Sequence, residues 1–299
     1  MDAKVPEMLH VDAFQMRLAD VADVDLERLH ALSIAVGWPH RAEDWHSLRE
    51  LGRGFVALDD IGRVMGSTMW FPHGERFATF GMLITSPRLQ TNGTAKWLMQ
   101  RVLSECPGRS FRLNATRAAR RLYRSLDFVE QQTVFQCQGE ARRPAESSEI
   151  DPGYVLRLLH RSELEAVVAL DASAFAVPRP VHLAHLLESS LCYGLYRGDR
   201  LLAYSMSRSF GRGHVLGPIV AFSENAAIAV ARPHVEAHAG DFLRVDTHCE
   251  TGPFASFIQQ CGLPIYDTVT TMTLGEGAAY GALDEDHPAI FALASQSMG

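Results

Sequence analysis

The chain has 299 residues, 47% of them apolar and 21% charged, with 28 Lys plus Arg against 35 Asp plus Glu and a net charge of −7, which suits about two domains of ordinary size. This composition excludes disordered, fibrous and collagen-like classes, and the acidic balance argues against a surface that tracks nucleic-acid phosphates, whose affinity comes from clustered cations. No apolar run approaches the roughly 18–20 residues that span a bilayer, Met1–Val11 lacks the basic start and apolar core of a secretory signal, and the five cysteines have no C-x-x-C spacing, so a cytoplasmic chain with buried, reduced thiols and no membrane contact is expected.

In chain order, periodicity predicts a strand at Phe14–Leu18 and helices at Asp23–Val36 and Glu43–Leu51. Strands at Gly54–Leu58 and Val64–Trp70 flank Asp59-Asp60-Ile61-Gly62, a hairpin turn by composition. A third strand, Phe77–Ile84, runs into Thr85-Ser86-Pro87, and Gly93–Cys106 is helical up to the Pro107-Gly108 stop. Phe111–Ala115 reads as a strand, Arg117–Leu126 as a helix and Val129–Gln138 as a strand. The polar stretch Gly139–Gly153, with two prolines, is the best boundary.

Beyond it the same order starts again. Strands are expected at Tyr154–Leu159, Leu191–Tyr196, Leu201–Arg208, His214–Ala221, Phe242–Thr247 and Thr268–Leu274, and helices at Ser162–Phe175, Val181–Glu188, Asn225–Ala237 and Pro253–Cys261. Gly217-Pro218-Ile219-Val220 follows Gly81-Met82-Leu83-Ile84 by 136 residues, and Gly262 follows Asp127 by 135. The matched landmarks point to an internal duplication.

Chemistry concentrates where the strand Phe77–Ile84 passes through a polar loop, Gln90-Thr91-Asn92-Gly93-Thr94-Ala95, into a helix. Small residues at 93 and 95 let an oxyanion or pyrophosphate approach the backbone, whose unpaired N–H groups and helix dipole favour negative charge. An ordinary strand-to-helix connection with a convenient glycine reads the same way. The next block, Phe111-Arg-Leu-Asn114-Ala-Thr-Arg-Ala-Ala-Arg-Arg-Leu-Tyr123-Arg-Ser-Leu-Asp127-Phe128, supplies the companion pattern. Together, Gln90-x-x-Gly93-x-Ala95, a strand ending near Asn114 and Leu122-Tyr123-x-x-x-Asp127-Phe128 resemble the GNAT superfamily of N-acyltransferases over about residues 12–138. Two positions depart from the pattern: Ala95 replaces a commoner second glycine, and Asp127 stands where glycine usually precedes Phe. Asp tolerates left-handed backbone better than most residues.

The resemblance implies an α/β (α+β) fold with two tandem GNAT-like domains, each a mixed, mostly antiparallel sheet flanked by helices. Residues 1–140 would form the first, acyl-CoA-binding and catalytic, residues 141–153 a linker, and residues 154–299 a diverged second. It implies acetyl-CoA or another acyl-CoA as co-substrate, with the pantetheine arm along Met82, Leu83 and Ile84 and the pyrophosphate on Gln90, Thr91, Asn92, Gly93, Thr94 and Ala95. Asn114 would hold that arm or the start of the following helix, where an Asn can equally be a cap. Tyr123 matches the position of a general acid, which protonates the departing thiolate; packing in an amphipathic helix is the competing role.

The acceptor would be a primary amine of a small molecule or peptide, attacking directly. No nucleic acid is expected, and a homo-oligomer is compatible with the sequence. The base is open: Phe77–Ile84 offers no carboxylate, which leaves Glu75, His73, His40 and His46, each read as more often an exposed polar residue. Trp38 and Trp45 are either pocket walls or packing residues.

The second half has Phe222-Ser-Glu-Asn-Ala-Ala227 at the matching loop, with no glycine and with Glu224 to repel phosphate, and Phe257 or Ile258 opposite Tyr123. It is expected to support the fold without binding CoA in the usual way. His234-x-x-x-His238 has metal-ligand spacing, but Glu236 is misplaced for H-E-x-x-H, so a solvated helix face is preferred and no metal is expected. The alternative to an enzyme is a catalytically silent acyl-CoA-responsive binding protein.

Overall fold

The computed structural model describes residues 5–11, 14–89, 93–144, 152–277, 280 and 287–299. The chain forms two compact units, Met1–Phe111 and Arg112–Gly299.

In the first unit, β1 (Met8–Val11), β2 (Phe14–Asp20), β3 (Arg53–Leu58), β4 (Val64–His73) and β5 (Phe77–Thr85) pair in that order, every pair antiparallel. The predicted hairpin turn forms because the buried Asp59 carboxylate accepts from the backbone N–H groups of Ile61 and Arg63 and from the Arg63 guanidinium. Burial alone would raise the Asp59 pKa, but these bonds and the Arg63 charge outweigh it and hold the carboxyl below its ordinary value.

Helices α1 (Leu26–Ala35) and α2 (Ala42–Leu51) follow β2. Asp44 accepts from the Arg41 backbone N–H at the start of α2, the return half of a capping box. Helix α3 (Thr94–Glu105) follows β5 and packs Trp97 and Leu98 against Met16, Ala57, Met65 and Leu89.

Strand β6 (Ser110–Ala115) carries the chain from one unit into the other. The second unit then contains α4 (Arg120–Arg124), β7 (Val129–Glu140), β8 (Tyr154–Leu158), α5 (Leu164–Phe175), α6 (Pro180–Ser189), β9 (Leu191–Arg197), β10 (Arg200–Phe210) and β11 (Gly213–Ala221). Helix α7 (Glu224–Ala237), β12 (Phe242–Thr247), α8 (Pro253–Gln260), β13 (Ile265–Leu274) and β14 (Ala289–Ala292) complete it. The strand order is β13-β7-β12-β11-β10-β9-β8, with β14 on β11; β11 and β12 pair parallel and the other neighbours antiparallel.

The duplicated order of elements is visible throughout: β3-β4-β5-α3-β6-α4-β7 recurs as β9-β10-β11-α7-β12-α8-β13. The core of the second unit joins Val230, Ala231 and Val235 of α7 to Leu216, Ile219 and Leu243, with Phe254 of α8 on Phe291 of β14. Two charged side chains are wholly buried together: Arg179 makes paired bonds of 2.8 and 2.9 Å to Asp171, which also accepts from the Tyr204 hydroxyl.

The first residues of the polar stretch expected as a linker are bonded into the second unit. Gly139 and Glu140 still belong to β7, Ala141 N–H donates to the Asp241 carbonyl, and Arg142 N–H donates to the Cys261 carbonyl. Residues 145–151 lie outside the described residues. All five cysteines are free thiols, four of them buried, and burial pushes Cys137 up to about 11. Among the described residues no helix is long and apolar enough to cross a membrane.

Candidate active site

In the first unit, the register of β5 against β4 shifts between Ser67 and Met69, opposite Gly81–Ile84. The bulge places Met82 at φ 53°, in the left-handed region, which costs a non-glycine residue roughly 1–2 kcal/mol. Its side chain is buried and its carbonyl accepts from the Ser67 hydroxyl at 2.8 Å. Packing and that bond hold the strain, and strained backbone held by its surroundings collects at functional sites.

Beyond β5, Pro87–Leu89 make one 3-10 turn; Gln90, Thr91 and Asn92 lie outside the described residues. Gly93 is the N-cap of α3 at φ 83°, with no side-chain cap bond, and a Cβ placed on it would meet nothing within 4 Å among the described residues. The Thr94 hydroxyl is buried without a hydrogen-bond partner among the described residues. The start of α3 is therefore open backbone with a positive dipole end and an orphaned hydroxyl beside it, a donor set that fits the phosphates of a CoA thioester. Arg28, Arg63 and Arg88 line a cleft of about 400 Å³ on this unit and add local positive charge to an acidic chain.

The second unit holds the other two predicted site residues. Asn114 donates to the Gln296 carbonyl at 2.9 Å and accepts from the Thr271 hydroxyl at 2.8 Å, so it caps no helix; the N-cap of α4 is Ala119. Tyr123 is buried, with its ring centroid 5.7 Å from that of Phe128, and burial pushes its phenol well above its ordinary pKa. The hydroxyl stays protonated at physiological pH, as a proton donor must. Asp127 has φ 63°, and the Phe128 N–H reaches back to the Tyr123 carbonyl, which is the expected left-handed helix stop. Helix α4 is shorter than its pattern because its outer turns are single bonded turns about Thr116 and Tyr123.

The base candidates separate by exposure. Glu75 is exposed, and His46 is exposed and lies 3.4 Å from Glu50. His40 is half-buried beside Trp38. His73, expected at the surface, is instead buried, with Nε2 3.3 Å from the Thr79 hydroxyl and its ring stacked on Phe77. Trp45 is core: fully buried, it donates to the Ser33 hydroxyl at 2.9 Å.

The second repeat treats the matching features differently. The Ser223 side chain caps α7 by accepting from Ala226 N–H, and the Glu224 carboxylate accepts from Phe254 N–H at the start of α8. Strands β11 and β12 pair only at His214–Leu243 and Val215–Arg244. Beyond that point β14 enters between them, paired with β11 at Ile219, Val220 and Ala221 and joined to β12 by a bond from Leu293 N–H to the Asp246 carbonyl. Arg208 fixes the insertion through the Gly217 and Ala294 carbonyls. Phe257 and Ile258 are both core. The face of α7 read as solvated is packed instead: His234 is fully buried against Tyr193, and His238 stacks on His214.

Sequence patterns missed three contributors. β14 was signalled by the apolar run Ala289–Leu293 after Pro288, whereas the Met82 bulge and the Ser67 bond depend on register and leave no local pattern.

Family models described as Acetyltransferase (GNAT) domain match residues 46–141 and 167–286. No curated protein matches the chain. Among solved structures, a putative acetyltransferase from Pyrococcus horikoshii is similar at 17% identity and TM-score 0.73, over 97% of this chain and 98% of that one. A tandem GNAT protein from the clavulanic acid biosynthesis pathway is similar at 14% identity and TM-score 0.58, over 90% of this chain and all of the other. A GCN5-related N-acetyltransferase from Sphaerobacter thermophilus gives 13% identity and TM-score 0.59, over 88% and 96%. Two matched domains in one chain, on a fold shared end to end with a tandem relative, identify it as a member of the GNAT acetyltransferase family of tandem type.

Proposed function

We propose that the chain is an N-acetyltransferase whose first repeat takes acetyl-CoA and passes the acetyl group to a primary amine of a small molecule or peptide by direct attack. The observation that carries this reading is the pairing of a strained bulge at Met82 with a glycine-led, uncapped start of α3 on the same unit. When bound, the cofactor supplies an activated thioester. Backbone groups of Met82, Leu83 and Ile84 would hold the pantetheine arm, and the N–H groups of Gly93, Thr94 and Ala95, with Gln90, Thr91 and Asn92 before them, would receive the pyrophosphate. Tyr123 is the proposed proton donor to the leaving thiolate, and Asn114 positions the end of β6 through Gln296 and Thr271. The second repeat, with α7 capped by Ser223 and β14 between β11 and β12, is read as a partner that binds no CoA.

A silent acyl-CoA-binding protein is the second reading, favoured by one observation: Phe77–Thr85 carries no carboxylate to act as base. Thiol release across a panel of amines separates the two. Tyr123→Phe should lower the rate roughly a hundredfold or more and leave acetyl-CoA affinity unchanged by calorimetry. Full turnover in Tyr123→Phe removes the assigned acid, and acetyl-CoA binding without thiol release on any amine favours the silent protein.

A further inference from the structure

His238 caps the C-terminal end of α7, and Asp241 follows it in the turn before β12. The His238 ring stacks on that of His214, the second residue of β11, with centroids 3.8 Å apart and planes 22° from parallel. One ligand atom from each of His214, His238 and Asp241 lies within 4.8 Å of the other two. His238 Nε2 is 3.2 Å from the Ser207 hydroxyl, and its Nδ1 is 3.9 Å from an Asp241 carboxylate oxygen. His214 Nδ1 is buried and has no hydrogen-bond partner among the described residues, an arrangement that costs free energy unless something else satisfies the nitrogen.

The chemistry of this cluster is that of a cation site. Asp241 supplies a negative charge, and the carboxyl end of the 14-residue α7 presents the negative pole of its dipole. Two imidazoles and one carboxylate suit Zn²⁺ and similar transition ions, and offer too few oxygens for Mg²⁺ or Ca²⁺. The metal-like spacing of His234 and His238 along α7 is not the site: His234 Nε2 is taken by the Ser205 hydroxyl within the core.

We propose that His214, His238 and Asp241 bind a divalent transition ion of the Zn²⁺ class, with water as the fourth ligand, and that the ion ties the end of α7 to the start of β11. Ligand atoms in a tetrahedral site with bonds of about 2.0–2.1 Å stand about 3.3 Å apart, so the three groups, now within 4.8 Å of one another, close by at most about 1.5 Å. Imidazole lone pairs lie in the ring planes, so the stacked rings turn about their Cβ–Cγ bonds as the ion enters. The Asp241 side chain, 63% exposed, has room to swing inward.

The test uses the untagged full-length chain, stripped with chelator and titrated with ZnCl₂ by calorimetry, with metal content measured after equilibrium dialysis. One Zn²⁺ per chain and a raised Tm are expected, with no response to MgCl₂. His238→Ala and Asp241→Asn should each weaken Zn²⁺ binding roughly tenfold or more, because the loss of even an outer-shell partner costs that much. Asp241→Asn alters an exposed side chain and keeps the test meaningful should His238→Ala fold poorly. No saturable Zn²⁺ uptake, or uptake that Asp241→Asn leaves unchanged, overturns the proposal; the second result would move the metal to the thiols or elsewhere.

Discussion

Gly93→Ala isolates the backbone contribution to cofactor binding. Gly93 sits at φ 83° and ψ −9°, and an added Cβ meets no atom of the described residues within 4 Å. The substitution therefore causes no clash with the described residues, and its cost is conformational, about 1–2 kcal/mol for an L residue in the left-handed region. Gly93 is exposed, so the loop can relax toward ordinary backbone in the free protein, which turns the first N–H groups of α3 away from a phosphate. Binding must then restore the strained turn. The 1–2 kcal/mol reappears as a roughly 5- to 30-fold higher Kd for acetyl-CoA. Isothermal titration of acetyl-CoA measures it, with urea unfolding run beside it and Ala226→Gly, at the matching turn of α7, as control. Unchanged affinity in Gly93→Ala, or an equal loss in Ala226→Gly, would refute the assignment of the phosphates to α3.

Three other expectations concern the second unit. Asp171→Ala leaves the buried Arg179 guanidinium without its paired carboxylate, and urea unfolding should show a loss of about 3–5 kcal/mol; a loss below about 1 kcal/mol would mean that the charge finds another partner. Gly217→Ala puts a Cβ 1.9 Å from the Leu293 carbonyl oxygen, so β14 must shift and amide exchange at residues 289–293 should accelerate; unaltered protection would show that β14 is not held against that glycine. Burial first, with nearby Arg charge, lowers His182 to about 3 and His248 to about 4. Below the unfolded value of about 6.5 the unfolded chain binds more protons, so stability is full above about pH 6.5 and falls through the window down to these pKa values, by about 2 kcal/mol per histidine at pH 5. Unfolding midpoints at pH 7 and 5 should show this, with a shallower fall in His182→Gln; equal midpoints would contradict the buried neutral rings.

Element order was legible because punctuation is local. Asp59–Gly62, Pro87 and Pro107-Gly108 each act within a few residues, and Asp127 adopts the left-handed stop expected of it. The α3 turn was legible for the same reason, since Gly93 announces its own backbone. What escaped depends on partners distant in sequence. Composition marked Gly139–Arg142 as linker, yet Gly139 and Glu140 pair with β12 and Ala141 and Arg142 donate to the Asp241 and Cys261 carbonyls, bonds to which side-chain polarity is blind. His234 and His238 read as a wet face because helical spacing cannot reveal that Tyr193 and His214 cover them. Trp45, equally suited to a pocket or a core, was decided by Ser33, 12 residues earlier.

The pairing of β7 with β12 and β13 ties the two repeats together in time as well as in space. Residues 129–140 leave the ribosome about 100 residues ahead of β12, which at roughly 5–20 residues per second is a wait of about 5–20 s. Throughout that interval a 12-residue strand bearing Val129, Val134 and Phe135 has neither of these neighbours and presents the unpaired edge that other chains can join. The later strands thus complete the pairing of β7, so a gene fragment ending before β8 would encode every proposed CoA contact and still lack both strands that flank β7.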